Sequence, residues 1–170
     1  YSLVVMWFSI CTLLTLSILN KWHTRQIDFV MAYPHTAIEY NMYMKLPKGV
    51  TTQKGDSKTH VLKLVKNIGQ KQAGRVWNTY LIKGLKWIGF EQSAIDKCVF
   101  YHGKTIFCCY VNDGIFTGPD LSDIKKAITQ LRKHSFCIED KGDINDYLGI
   151  HLCQTPDEPT KLFQPHLIDQ

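Results

Sequence analysis

The sequence predicts an α+β domain in which an antiparallel sheet carries a prominent hairpin. Residues 105–118 read TIFCCYVNDGIFTG, two β-prone runs separated by the turn-forming residues Asn112-Asp113-Gly114. Apolar residues recur at helical spacing in two other stretches, residues 73–85 and 121–133. The 170 residues are 45% hydrophobic and 21% charged, and no Pro- or Gly-rich linker divides them. We therefore expect a single globular domain.

Shorter patterns place the other elements around these. The expected segments are, in order, a helix from about Phe8 to Asn20, strands Gln26 to Met31 and Ile38 to Leu46, a polar loop Thr51 to His60, a strand Val61 to Val65, a helix opening at Gly69, a strand from Val99, a helix Leu121 to Lys133, a strand Phe136 to Glu139, and a hairpin joining Tyr147–Ile150 to Leu162–Gln164. Pro and Gly supply most of the breaks, because Pro cannot donate to a sheet ladder and Gly tolerates turn conformations.

The first twenty residues, Tyr1 to Asn20, carry no formal charge and are rich in Leu, Val, Ile and Phe. Such a run is at the lower edge of the length that spans a bilayer. Ser and Thr residues interrupt it, and no basic residue precedes it as a signal peptide would require. We therefore expect a buried core helix and no membrane partner, with a membrane anchor as the less favoured alternative.

Asp28 stands out in the segment QIDFVMAY because its neighbours are apolar. A carboxylate in a buried strand is costly unless it is paired or binds a metal ion. Asp113, at the predicted hairpin tip, is a partner of the same kind. Two carboxylates suit Mg²⁺, and a pair of such ions can clamp the attacking and leaving oxygens of a phosphoryl transfer. The same residues also fit a plain core hairpin with a polar tip, so both interpretations stay open.

Charge and cysteine content add weaker constraints. The net charge of +5 and the pI of about 8.8 are compatible with a phosphate-rich partner but do not require one. None of the six cysteines forms a Cys-x-x-Cys pair, so the spacing typical of structural metal sites is absent. We expect reduced, mostly buried thiols, as in an intracellular protein.

Several motifs, in their order and spacing, identify a family. They are VVMWFSICTLL at 4–14, QIDFVMAY at 26–33, MYMKLPKGV at 42–50, GQKQAGRVW at 69–77, GF-x5-D-x2-VFY at 89–101, YVND at 110–113 and YLGI at 147–150. Together they resemble the reverse transcriptase of copia-type retrotransposons over nearly the whole chain. The resemblance implies a polymerase palm-type antiparallel sheet with helices packed on one face. It also implies one domain over residues 1–170, truncated at both ends and with an incomplete fingers portion.

The resemblance also assigns roles to individual residues. Asp28, Asp113 and Asn112 would be the catalytic and metal-binding positions, with Asn112 standing where the family has the first Asp of an adjacent pair. Nucleotide binding would fall to a set of six residues, Ala32, Tyr33, Gly69, Lys71, Gln72 and Tyr110. Tyr33 would act as a steric gate against a 2′-hydroxyl. The turn residues Leu148 and Gly149 would support the primer.

The implied reaction is RNA-directed DNA synthesis by two-metal nucleotidyl transfer onto a primer 3′ end. Its cofactor would be Mg²⁺, with Mn²⁺ as an alternative. Its partners would be an RNA template, a DNA primer and deoxynucleoside triphosphates, in a cytoplasmic virus-like particle. Two departures from the family, Asn112 and the lack of a Tyr before Gly69, favour a second hypothesis. That hypothesis is an inactive retroelement remnant that keeps the fold and weak nucleic-acid binding.

Overall fold

The computed structural model describes residues 4–34, 36–49, 60–66, 70–155 and 158–163. The elements are, in chain order, α1 (Trp7–Leu19), β1 (His23–Phe29), β2 (Ala37–Lys45), β3 (Val61–Lys66), α2 (Ala73–Trp87), β4 (Glu91–Gln92), β5 (Val99–His102), β6 (Thr105–Tyr110), β7 (Asp113–Gly118), α3 (Leu121–Lys133), β8 (Ile138–Gly142), β9 (Asp146–Tyr147), β10 (Ile150–Thr155) and β11 (Glu158–Phe163). The predicted loop 51–59 and the segment after Phe163 lie outside the described residues.

Six strands form one sheet in the order β4-β5-β6-β7-β1-β8, and each neighbouring pair is antiparallel. The strands β2 and β3 make a separate two-stranded sheet, and β9, β10 and β11 make a third of three strands. The predicted α+β class with an antiparallel sheet is therefore confirmed. The central strands β7 and β1 are bordered on both sides, which places the β6–β7 hairpin well inside the sheet.

An aromatic cluster fills the space between the sheet and α2. The rings of Phe29, Phe107 and Phe116 lie on one face of β1, β6 and β7, and all three are buried. Trp77 from α2 meets Phe29 edge-on, with ring centroids 5.3 Å apart. Phe136 joins the same group from the segment after α3. Edge-to-face aromatic pairs of this kind add to the burial of apolar area.

The helix α1 lies on the opposite face of the sheet. Its Ser17 hydroxyl is hydrogen-bonded to the Thr117 hydroxyl at 2.5 Å. Side chains alternate along a strand, so Thr117 points away from the face that carries Phe116. The placement of the helices on one face is thus wrong for α1, and both faces of β7 are buried. Two-sided burial explains why the sequence of this strand is apolar without alternation.

A carboxylate distant in sequence fixes the amino end of α1. Asp96 is buried and accepts hydrogen bonds from the Met6 N–H at 2.9 Å and the Ser9 hydroxyl at 2.6 Å. The first bond satisfies a backbone N–H that a helix start leaves without an intrahelical partner, and the second ties the first turn of the helix to the same carboxylate. The helix itself confirms the predicted segment from about Phe8 to Asn20. Within the described ranges, no helix is long and apolar enough to cross a membrane.

The carboxyl-terminal elements follow the predictions closely. The helix α3 spans Leu121–Lys133, and Asp120 caps it by accepting from the Ser122 N–H at 2.7 Å. The strands β10 and β11 pair as a hairpin, but the predicted first strand Tyr147–Ile150 is wrong, since β10 begins only at Ile150. A tight turn at Leu148-Gly149 adds the short strand β9, because both turn residues have positive φ, 52° and 80°. Such a turn matches the twist of the strands that flank it.

Candidate active site

The turn of the β6–β7 hairpin begins one residue earlier and ends two residues earlier than the predicted Asn112-Asp113-Gly114. Tyr110 pairs with Asp113, so Val111 and Asn112 form the turn. Asp113 and Gly114 belong to β7 and were wrongly placed in the turn by the sequence analysis. Val111 has φ 58°, a conformation that β-branched residues rarely adopt. Backbone strain of this kind is often found at functional sites, where the surrounding structure holds it in place.

Gly114 serves close packing instead of a turn. A Cβ at this position would lie 2.5 Å from Cε2 and 2.8 Å from Cζ of Phe107. It would also lie 3.2 Å from Cγ1 of Ile27 on β1. The glycine therefore lets the Phe107 ring lie flat against the sheet between two strands. This contact explains why a glycine typical of turns stands here within β7.

The two acidic residues singled out by sequence are directly opposite each other. Asp28, near the end of β1, is the Cα partner of Asp113, the first residue of β7. Opposed residues on antiparallel strands point to the same face, so both carboxylates leave the sheet together. Their side chains are 18% and 30% exposed, respectively. The register thus creates a partly buried carboxylate pair at one end of the sheet.

Asn112 is bound to this pair as a hydrogen-bond donor. Its Nδ2 donates to Oδ1 of Asp28 at 2.7 Å. Its backbone carbonyl accepts from the N–H of Phe29 at 2.8 Å, which ties the turn to the end of β1. In this orientation Asn112 offers its side-chain N–H, not its side-chain carbonyl oxygen, to Asp28. As a neutral residue it cancels none of the negative charge of the two carboxylates.

Lys141 reaches the same carboxylates from the other side of β1. Its Nζ lies 3.9 Å from Oδ1 of Asp28 and 3.7 Å from Oδ1 of Asp113. The pairing of β1 with β8 moves from Gln26–Gly142 to Ile27–Asp140, so the register skips Lys141. A bulge of this kind re-aims a side chain, and here it brings a cation between the two acids. Gly142, with φ 89°, permits the bend.

The surroundings shift the acidity of one member of the pair. Burial raises the pKa of Asp113 above its ordinary value, and the negative charge of Asp28 acts in the same direction. Lys141 opposes both by its positive charge and its contact with the carboxylate. The pKa of Asp113 nevertheless stays above its ordinary value, because the effect of burial outweighs that of Lys141. A further cation at this point would lower it.

A tryptophan from α2 anchors the turn from the buried side. Nε1–H of Trp77 donates to the carbonyl of Val111 at 2.8 Å. Trp77 is itself buried against Phe29, the residue that follows Asp28. One indole ring thereby fixes both the hairpin tip and the end of the strand opposite it. The carboxylate pair is therefore held in position by buried, packed residues and does not depend on a loose loop.

The carboxylate pair supplies two of the ligands that one divalent cation would need. The carboxylates of Asp28 and Asp113 converge on a single point of positive charge, and hard oxygen donors suit Mg²⁺ and Mn²⁺. Asn112 is turned to donate and so does not complete a third ligand. Across the described residues, no group of three His, Cys, Asp or Glu side chains is arranged to hold a metal ion. Two carboxylates with substrate phosphates are a usual arrangement for Mg²⁺.

The other predicted site residues occupy several segments. Tyr110 is the partner of Asp113 across the hairpin, so it belongs to the same end of the sheet as Asp28 and Asn112. Ala32 and Tyr33 lie in the turn after β1, with Ala32 buried and Tyr33 packed partly against the core. Their predicted roles in nucleotide binding stay predictions.

Three more predicted nucleotide-binding residues lie near the start of α2. Gln72 and Lys71 are described by the structure, and Gly69 is not. Gln72 immediately precedes α2, and its Nε2 donates to Sδ of Met42 at 3.3 Å. Lys71 is exposed beside it. Gly69 and the residue before it, where the family has a Tyr, fall in the segment 67–69, which lies outside the described residues. Leu148 and Gly149 form the β9–β10 turn, and their role in primer support stays a prediction.

Two residues that shape the site are not among the predicted site residues. Trp77 lies within the predicted helical spacing of residues 73–85, and Lys141 lies beyond the predicted strand Phe136 to Glu139, although the structure includes it in β8. The Lys141-Gly142 pair was the available signal for the second, because Gly commonly accompanies a bulge next to a strand end. No local signal marks Trp77, since its hydrogen bond depends on the packing of α2 against the hairpin.

Comparison with known proteins now identifies the chain's family. A model of the family described as reverse transcriptase (RNA-dependent DNA polymerase) matches residues 1–169. The retrovirus-related Pol polyproteins from transposons RE1 and RE2 of Arabidopsis thaliana are each 30% identical over 161 residues, covering 92% of this chain and 11% of those proteins. The truncated transposon Ty1-A Gag-Pol polyprotein of Saccharomyces cerevisiae is 30% identical over 131 residues, covering 74% and 10%.

No solved structure gives a significant match to the fold. The family match nevertheless covers nearly every residue, and it includes β1 with Asp28 and the β6–β7 hairpin with Asp113. The chain therefore belongs to the reverse transcriptase (RNA-dependent DNA polymerase) family and is related to the Pol polyproteins of copia- and Ty1-type retrotransposons.

Proposed function

We propose that this chain is the palm-type part of an RNA-directed DNA polymerase. The observation that carries the proposal is the register that sets Asp28 opposite Asp113. Two carboxylates on one sheet face, both within 3.9 Å of one ammonium nitrogen, can also share a divalent cation. Nucleotidyl transfer needs such a cation beside the reacting phosphate.

Asp28 and Asp113 would hold Mg²⁺, or Mn²⁺, together with the phosphates of a deoxynucleoside triphosphate. When bound, the ion would neutralise charge on the phosphates and orient the primer 3′-hydroxyl toward the α-phosphorus. The framework of Trp77 and the β6–β7 turn would keep the carboxylates in position. Positioning of this precision matters because a shift of about 1 Å can lower a rate on the order of 100-fold.

Lys141 would change its contacts during this cycle. Before substrate binds, its ammonium group lies beside both acids. A divalent ion at the carboxylates would repel it, and the incoming phosphates would attract it. The half-exposed side chain is long enough to follow that charge while its backbone stays in the bulge. Lys141 would thereby offer positive charge to the phosphates of the substrate.

The remaining predicted residues would complete the nucleotide and primer sites. Ala32, Tyr33 and Tyr110 would line the sugar and base position, with Tyr33 excluding a 2′-hydroxyl. Gly69, Lys71 and Gln72, before α2, would face the triphosphate, since free N–H groups at a helix start attract phosphate. Leu148 and Gly149 would support the primer, and the template would be RNA.

A second candidate function is favoured by one observation. Asn112 stands where the family has a carboxylate, and its amide donates to Asp28. This arrangement lowers the negative charge available for a second metal ion. The alternative is therefore a catalytically inactive remnant that keeps the fold and binds nucleic acid weakly.

Primer extension on an RNA template decides between the two. The assay would follow a labelled DNA primer with deoxynucleotides and Mg²⁺ or Mn²⁺, for the unmodified chain, Asp28→Asn and Asn112→Asp. Asn145→Asp, an exposed amide outside the carboxylate pair, is the matched control. For a polymerase we expect slow, metal-dependent extension that Asp28→Asn abolishes. We expect Asn112→Asp to increase it about 10- to 100-fold, the usual range for changes around a metal.

The outcomes separate the hypotheses clearly. Extension by the unmodified chain, lost in Asp28→Asn, supports the polymerase. Extension by Asn112→Asp alone means a palm disabled at that residue. Absence of extension from all folded variants contradicts the polymerase and leaves the remnant. If Asn145→Asp increased primer extension as much as Asn112→Asp, the increase would reflect the added negative charge in general and not the position of residue 112.

A further inference from the structure

The β2–β3 hairpin has a solvent-exposed face that combines two lysines with a tyrosine and two valines. In the register of the two strands, Tyr43 pairs with Lys63 and Lys45 pairs with Val61. Val65 follows Lys63 by two residues and so shares its face. All five side chains are exposed, Tyr43 by 58% and Val65 by 74%. We call these five residues the Tyr43 face.

The opposite side of the same hairpin is partly covered and has a different character. Met42 pairs with Leu64 and Met44 with Leu62. Met42 receives the hydrogen bond from Gln72 at the start of α2. This side therefore meets the domain at Met42, while Met44 and Leu62 are 42% and 41% exposed. The Tyr43 face is left to solvent, although an exposed tyrosine and two valines are costly to keep in water.

We propose that the Tyr43 face binds single-stranded nucleic acid. This proposal rests on the proposed function, because it names a surface on which the nucleic acid of that reaction would lie. The face carries two lysines and no acidic residue among its five, so its charge complements a phosphodiester chain. The Tyr43 ring, directly opposite Lys63, offers a platform on which a base can stack. Lys45 lies diagonally across from Lys63, and the Cα atoms of such diagonal neighbours are about 7–8 Å apart. The two lysines can therefore contact different phosphates of one strand.

The composition favours a nucleic acid over a protein partner. Lysine is depleted in protein–protein interfaces, yet it supplies two of the five residues here. Stacked aromatic rings combined with lysines are the usual means of holding single strands without regard to sequence. We therefore expect both single-stranded RNA and single-stranded DNA to bind, through features that they share.

A second basic surface of the same chain offers a matched comparison. The exposed side of α3 carries Lys125, Lys126 and Lys133 with Ser122, Thr129 and Gln130. It has no aromatic residue, and Lys126 is paired with Asp123 at 3.0 Å. If binding followed positive charge alone, α3 would serve as well as the hairpin. If stacking matters, only the Tyr43 face would contribute.

The test measures fluorescence anisotropy of labelled 12-nucleotide RNA and DNA single strands, without metal ions or nucleotides. We expect Tyr43→Ala to weaken binding about tenfold, a typical loss for one stacked base. Tyr43→Phe keeps the ring and should bind like the unmodified chain. Lys63→Gln should lower the slope of log K against log salt by about 0.7. Lys125→Gln on α3 should leave affinity and slope unchanged.

Equal weakening by Lys125→Gln and Lys63→Gln, or unchanged binding by Tyr43→Ala, would overturn the proposal. Loss of binding in Tyr43→Phe would do the same, since it would point to the hydroxyl and not to stacking. Asp28→Asn, which tests the proposed catalysis, should bind both strands normally. The surface and the polymerase activity can therefore fail independently. Circular dichroism of each variant confirms that the exposed substitutions leave the fold intact.

Discussion

Two hairpins of this chain share a backbone plan and differ in what surrounds them. The β6–β7 hairpin is bordered by β5 and β1, and nearly all of its side chains are buried or partly buried. The β2–β3 hairpin forms a sheet of its own, and most of β3 is exposed. The first presents a carboxylate at its tip, whereas the second presents lysines and a tyrosine along its face.

The difference shows how burial relates to precision. A carboxylate pair that shares one cation must hold its two oxygens to within a fraction of an ångström, which packing on both faces can achieve. A surface that tracks a flexible polymer needs charge and a ring, and it tolerates motion. Substitutions in β6–β7 should therefore cost stability, while those on the Tyr43 face should mainly change binding.

Gly114→Ala is the sharpest way to break the buried hairpin. The added methyl would overlap the Phe107 ring and crowd Ile27. Overpacking of a core typically costs about 1–3 kcal/mol, and we expect the upper end here because the ring is enclosed on both sides. The measurement is the free energy of unfolding in urea. Val65→Thr, at an exposed position of β3, is the control and should change stability by less than about 0.5 kcal/mol. Equal effects at the two sites would contradict the comparison.

Trp77→Phe tests the anchor of the turn with a smaller expected effect. The substitution removes the donor to the Val111 carbonyl and part of a buried ring. We expect a loss of about 2 kcal/mol in unfolding free energy, since an unsatisfied buried polar group costs about 1–3 kcal/mol. Trp87→Phe on the same helix is the matched control, because Trp87 is 62% exposed and stacks only on His134 among its ring contacts in the described structure. A loss from Trp87→Phe as large as that from Trp77→Phe would mean that the hydrogen bond is unimportant.

Much of the fold followed from local patterns, and the exceptions have a common cause. The helix α3 has the predicted bounds because its apolar spacing and its Asp120 cap are both local. The hairpin turn was misplaced because Gly114 is needed under Phe107, a contact between two strands. The role of Asp96 has no local signal, because its bonds to Met6 and Ser9 cross about half of the chain.

The candidate site divides in the same way. Asp28 is conspicuous in sequence, since a carboxylate among apolar residues needs a reason. That it faces Asp113 depends on the register of β1 with β7, which the hairpin pattern alone does not determine. Lys141 reaches the pair only through a bulge whose position depends on how β8 pairs with β1. Pairing between strands distant in sequence is therefore the information that local patterns lacked.

The smallest expected effect concerns the charge balance at the carboxylate pair. The pKa of Asp113 is raised, chiefly by burial. A carboxyl whose folded pKa is raised contributes stability below its unfolded pKa of 3.8, and that contribution is lost as pH rises through the folded pKa. Asp113→Asn should therefore remove this decline. The difference in unfolding free energy between the two proteins, followed from pH 3 to 7, isolates Asp113 from other titrating groups.

Lys141→Met should extend this decline to higher pH, because Lys141 is the group that lowers the pKa of Asp113. The same substitution removes a positive charge that competes with a divalent ion, so Mn²⁺ should bind about fivefold more tightly by electron paramagnetic resonance, the upper range for a partly exposed charge pair. Lys126→Met on α3 is the control and should change neither quantity. A lower Asp113 carboxyl pKa by ¹³C NMR in Lys141→Met, or weaker Mn²⁺ binding, would mean that Lys141 supports the carboxylates through packing and not through its charge.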